Sequence, residues 1–138
     1  AQAVLGNHEL NALKASQDGH AKPDLSWLFP QARPMRHSGR LVPMAPAGAE
    51  ARDFLAFFRT LPLALEREGE LPVRIVHACW DAEAIEQVRR ETDVLEVFYR
   101  VRRAIERELN QTGVAQEDDR ELTHQNANPV RLLTSGRE

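Results

Sequence analysis

Leu5-Gly6-Asn7-His8-Glu9-Leu10-Asn11 is the stretch on which the reading of this chain turns. An apolar run, Ala3-Val4-Leu5, stops at Gly6, and an amide and an imidazole then stand side by side. Leu10 and Leu13, three residues apart, set a helical repeat over residues 8–15. The layout predicts a short buried strand over 2–6 that hands Asn7 and His8 to the start of a helix. A plainer reading is that Asn7 and His8 only cap that helix, since Asn is among the better capping residues.

Bulk properties bound what such a segment can belong to. The 138 residues suffice for one domain, which would bury roughly two-thirds of its unfolded surface. Hydrophobic residues make up 42% and charged residues 28%, the balance of a soluble globular protein. A net charge of −3 and a pI near 6.0 argue against a general nucleic-acid binder. Only two of the 18 basic side chains are lysines, Lys14 and Lys22. One cysteine, Cys79, excludes an intrachain disulfide framework and fits a reducing, cytoplasmic setting. No apolar stretch approaches the ~20 residues that span a bilayer, so no membrane partner is expected.

Residues 16–47 lose all periodicity and hold five prolines, which predicts a long Pro-rich loop, with Trp27, Leu28 and Phe29 docking part of it. Ala51, Phe54, Leu55, Phe58 and Leu61 then follow the spacing of an amphipathic helix, ended by Pro62. Alternation in Leu61-Leu63-Leu65 and Val73-Ile75-His77, around Arg67-Glu68-Gly69-Glu70, predicts a β-hairpin over 61–78. Asp81 is positioned to cap a helix over 82–91. Asp93 and Glu96 open another over 93–109, with Val94, Val97, Phe98, Val101 and Ile105 on one face. Residues 110–128 read as a polar surface loop, and Pro129–Leu133 as one more short strand.

The hairpin ends on a histidine. Val73-Arg74-Ile75-Val76-His77-Ala78-Cys79-Trp80-Asp81 sets an imidazole at a strand end, 69 residues after His8. Gly6-Asn7-His8-Glu9 resembles the Gly-Asn-His-Glu motif of calcineurin-like metallophosphoesterases. Val76-His77-Ala78-Cys79-Trp80 resembles the version of the later histidine motif found in bacterial serine/threonine-phosphatase-like and diadenosine-tetraphosphatase-like members. Arg59-Thr60-Leu61-Pro62-Leu63 is similar to the helix-to-strand passage before that histidine. The similarity covers about 1–15 and 54–91 and reaches more loosely to 128–136.

The resemblance implies an α/β fold: a partial metallophosphoesterase β-sandwich flanked by helices, helix-rich here, as one partial domain over 1–138. It implies metal-dependent hydrolysis of a phosphomonoester or a nucleotide pyrophosphate bond. The substrate would be a phosphorylated small molecule, a nucleotide or a phosphoprotein. Such chemistry needs a divalent metal pair to make hydroxide at neutral pH, positive charge on the phosphoryl oxygens, and an acid for the leaving oxygen. By the resemblance Asn7 and His77 ligate one metal, and His8 is the general acid, within reach of neutrality as an imidazole. Mn²⁺ is the favoured metal, with Fe²⁺, Zn²⁺ and Mg²⁺ as alternatives. Glu9 is an outer neighbour of that site or a helix-dipole partner.

The departures are as informative. In the family, Asp-x-His and Gly-Asp-x-x-Asp-Arg-Gly motifs precede Gly-Asn-His-Glu, and the six residues before Asn7 leave them no room. No Gly-His follows His77. The expectation is therefore an internal fragment, close to inactive by itself, because two ligands fall short of the five or six such metals favour. The rival expectations are a non-catalytic helical interaction domain and a degenerate phosphatase homologue that keeps a phosphate contact through His8. His20, His37 and His124 read as surface histidines, and Cys79 as a small buried hydrophobe. Trp80 would stack on a base or roof the site, while Arg36 and Arg40 contact phosphate or stay solvated. The open edge of a strand at 2–6 predicts a homodimer or aggregation.

Overall fold

The computed structural model describes residues 2–21, 25, 28, 42–43 and 48–138. Among these the chain is mixed α/β and rich in helix, with six helices and two two-stranded antiparallel sheets. It divides into two compact units, one of residues 1–7 and 61–138 and one of residues 8–60.

In the unit of residues 8–60, helix α1 (Asn7–Asp18, its first residue belonging to the other unit) buries Leu10, Ala12, Leu13 and Ala15. The helix thus runs three residues beyond its predicted end. A two-residue pairing follows, β1 (His20–Ala21) with β2 (Val42–Pro43). Leu25 and Leu28 are buried. The rest of the proline-rich stretch predicted as a loop, with Trp27, Phe29, Arg36, His37 and Arg40, lies outside the described residues. Helix α2 (Ala49–Arg59) buries Ala51, Leu55 and Phe58 and leaves Phe54 and Phe57 exposed. It closes as the Thr60 backbone N–H and hydroxyl both donate to the Phe57 carbonyl, two residues before Pro62 bars continuation.

In the other unit, residues 2–6 do not form the predicted strand. Leu5 is fully buried and its N–H reaches the Pro62 carbonyl at 2.8 Å, but this bond is not extended into a ladder. An apolar run becomes a strand only when a neighbour completes its hydrogen bonds.

The predicted hairpin is present as β3 (Ala64–Arg67) and β4 (Val73–Val76), with Ala64 opposite Val76, Leu65 opposite Ile75 and Glu66 opposite Arg74. Val76 packs with Leu63 onto a core of Ala84, Leu132 and Leu133. Side chains alternate across a sheet, so Leu65, Val73 and Ile75 lie on the opposite face, where Val73 and Ile75 are exposed.

Helix α3 (Ala82–Val88) starts at Asp81, whose Oδ1 accepts the Ala84 N–H at 2.9 Å. Helix α4 (Val94–Thr112) starts at Asp93, which accepts from Leu95 at 2.9 Å and Glu96 at 3.2 Å. It ends at Gly113, whose φ of 74° an L side chain rarely adopts. Two predictions fail beyond it. Residues 117–127, placed within the predicted polar loop at 110–128, form helix α5 (Glu117–Ala127), and 129–135, expected as a strand over 129–133, form helix α6 (Pro129–Ser135). The polar α5 helix buries His124 and Gln125, each with one side-chain hydrogen bond, to Glu106 and to the Gly136 carbonyl, which no apolar repeat signals. α6 has a residue suited to a start, Asn128, and Pro129 at its first position, where a missing N–H costs nothing.

Asn128 joins three helices. Its N–H donates to the His124 carbonyl of α5 at 3.2 Å, and its Oδ1 caps α6 by accepting from Val130 at 3.1 Å. Its Nδ2 donates to the Phe98 carbonyl of α4 at 3.0 Å, in full burial.

Candidate functional site

Asn7 is the first residue of α1 and is half-buried, and His8 follows in the first turn, exposed. The residues that deliver them are an irregular segment pinned by Leu5, not a strand end. His77 lies one residue past β4 and is exposed. Asn7 and His77 belong to one compact unit and His8 to the other. No side-chain hydrogen bond or ion pair of the described residues involves any of the three. The side chain of Asn7 thus makes no cap of α1.

Whether these residues fit a metal pair is a matter of donor count. Asn7 and His77 offer one amide oxygen and one imidazole nitrogen. Among the described residues no group of three or more His, Cys, Asp or Glu side chains could hold a metal ion. An Asp-x-His triplet does occur, Asp18-Gly19-His20, but after the Gly-Asn-His-Glu block and at the far end of α1. Eleven residues of helix set Asp18 about 16 Å along the axis from Asn7. The described residues therefore do not make up a complete dinuclear centre, and no step is assigned to one.

The loop that follows His77 is well fixed. The Ala78 N–H donates to the Leu133 carbonyl at 3.1 Å. Cys79 is half-buried rather than enclosed, and its thiol is free. Trp80 is half-buried beneath the Arg74 guanidinium, 5.1 Å from the ring centre, while Arg74 also pairs with Glu66 at 2.8 Å. Asp81 Oδ2 accepts from Arg137 at 2.7 Å. The Ala84 N–H first, then the Arg137 guanidinium, hold the Asp81 carboxyl below the usual carboxylate range. Asp81 in turn keeps Arg137 more firmly protonated.

A groove of about 380 Å³ lies on the open hairpin face, lined by Gln2, Leu65, Glu66, Arg67, Val73 and Ile75. None of the sequence-derived candidates lines it.

One cluster escaped the sequence reading. His124, expected on the surface, is 5% exposed, and its Nε2 lies 2.6 Å from Glu106 Oε1. Arg120 pairs with the second oxygen of Glu106 and also donates to the Val114 carbonyl and to Asn110 Oδ1. The His124 bond first, and then Arg120, hold the Glu106 carboxyl below the usual range, against the opposing effect of partial burial. His124 Nδ1 is buried without a partner. The cluster ties α4 to α5, and the signal that could have found it is the acidic–basic spacing of Glu106, Arg120 and His124 across a helical turn-back.

Comparison with known proteins finds no matching family model, no matching characterised protein and no matching solved structure.

Proposed function

We propose that this chain contributes part of the active site of a metal-dependent phosphoesterase of the calcineurin-like type. The reading is carried by one observation: the segments Val4–Asn11 and Val73–Asp81 occur in one chain, in order, each resembling a motif of that family. In this reading the two-stranded hairpin and its packed helices are a portion of a larger β-sandwich with flanking helices. Asn7 and His77 are donors toward a divalent metal, Mn²⁺ first, and the remaining ligands come from outside the described residues.

His8 is compatible with the acid role in one respect. It is exposed in the first turn of a helix, where its imidazole meets solvent. The N-terminal end of a helix dipole favours anions, and an imidazolium there could protonate the leaving oxygen of a phosphate ester. The substrate class stays that of a phosphomonoester or a nucleotide pyrophosphate.

A titration with Mn²⁺, followed by NMR line broadening, tests the assignment on wild type, Asn7→Ala and His77→Ala. Broadening centred on residues 6–8 and 76–78 that each substitution weakens supports it. Binding that is undetectable at millimolar Mn²⁺, or indifferent to both substitutions, removes the ligand pair and leaves a helical interaction domain as the better account. The packing of Ala84, Ile85 and Val88 of α3 with Leu132 and Leu133 of α6 favours that second reading, because this apolar core includes none of the candidate metal donors.

A further inference from the structure

His77 projects from a loop that is fastened at two points by α6 and the residues after it. Ala78, the next residue, gives its N–H to the Leu133 carbonyl at 3.1 Å. Gly136 passes beside Ala78, where an added Cβ would meet the Ala78 Cβ at an ordinary contact distance of 3.8 Å. Arg137 then reaches Asp81 at 2.7 Å.

The fastening segment is itself anchored. Gln125 on α5 is 1% exposed and donates Nε2 to the Gly136 carbonyl at 2.5 Å. The side-chain amide of Asn126 pairs with both backbone groups of Glu138, at 2.9 Å and 3.1 Å. These contacts form a continuous polar path from α5 to the residue beside His77, and none of them belongs to a helix or sheet ladder.

We propose that residues 133–138 are a latch that positions His77, with Arg137 as its positioning residue and Gln125 as its buried anchor. An exposed imidazole one residue beyond a strand end is free to swing unless its flanks are held. A donor that must be held within about 0.5 Å of a working geometry needs such support. The inference rests on the phosphoesterase reading for what His77 does; the latch on residues 78–81 is tested independently of it.

The experiment compares the whole chain as wild type, Arg137→Gln and Arg137→Lys, by amide hydrogen exchange and by the ring resonances of His77. With Arg137→Gln the Ala78 amide should exchange about three- to five-fold faster, the scale of losing one exposed ion pair. The His77 ring signal should shift or broaden, amides of α4 should keep wild-type rates, and Arg137→Lys should restore part of both effects. Unchanged Ala78 exchange with an unchanged His77 signal overturns the latch. A uniform acceleration through α3 to α6 also overturns it, since Arg137 would then be a general stabiliser. Mn²⁺ separates the two ideas: a wild-type His77 signal that stays sharp on its addition, with the Arg137→Gln effects present, sinks the phosphoesterase reading and keeps the latch.

Discussion

Asn128→Ala is the substitution that most directly tests how the helical part is assembled. The side chain is 1% exposed and makes two hydrogen bonds, one capping α6 at Val130 and one reaching the Phe98 carbonyl on α4. Loss of a side-chain cap costs about 1 kcal/mol. Loss of a buried neutral hydrogen bond costs about 1 kcal/mol more. The sum, about 2 kcal/mol, would lower Tm by roughly 6–10 °C in a chain of this length. Urea unfolding followed by far-ultraviolet circular dichroism should show the midpoint falling with an unchanged slope. Asn128→Asp separates the two parts, because a carboxylate can cap α6 but cannot donate to Phe98. Asn126→Ala, whose side chain hydrogen-bonds only the Glu138 backbone, in a solvent-exposed setting, should cost less than about 0.5 kcal/mol. If Asn128→Ala costs no more than Asn126→Ala, the three-helix joint contributes nothing and the reasoning fails.

Glu106 sets an acid limit. Its carboxyl is held below its ordinary value of 4.5 by His124 and Arg120, so the stability it contributes is present above about pH 4.5 and disappears as pH falls through the lower folded value. Glu106→Gln should flatten the loss of stability in that acid window, and parallel wild-type and mutant profiles would refute the linkage. Gly113→Ala should cost about 1 kcal/mol by conformational strain alone, because a Cβ there meets nothing within 4 Å while φ is 74°. Gly113→Asn should cost less, and equal thermal midpoints for all three would show that the left-handed end of α4 is not maintained. Asp93→Ala should lose about 1 kcal/mol by freeing the Leu95 and Glu96 N–H groups, checked by the same unfolding curves.

What could be read from sequence follows from how each element is stabilised. α2, α4 and the hairpin carry their own apolar repeat and were legible, as in Leu55 and Phe58 or Val97, Phe98 and Ile105, although the buried face of α4 also takes in Leu95 and Leu109 in place of the expected Val94 and Val101. α5 was not, because its buried residues are His124 and Gln125, made tolerable by Glu106 and by the Gly136 carbonyl some distance along the chain. α6 was missed for a different reason. Val130, Leu132 and Leu133 suit a short strand or a helix equally, and the deciding signs were Asn128 and Pro129 before them. Residues 2–6 show the reverse error, an apolar run for which the described residues supply no strand partner. Of the candidate site, the motif residues were visible as letters, but their surroundings were not. The hold on residues 78–81 comes from Leu133 and Arg137, more than fifty positions away.

The stacking of Arg74 on Trp80 has an optical consequence. Arg74 is gripped by Glu66 directly across the hairpin and lies over the indole at 5.1 Å. A slip of one residue in strand pairing would turn Arg74 to the opposite face and strip the cation from the ring. The chain has only one other tryptophan, Trp27. With that residue changed to phenylalanine, the emission of Trp80 becomes a gauge of strand alignment, able to distinguish a hairpin that is merely closed from one that is closed in the correct register.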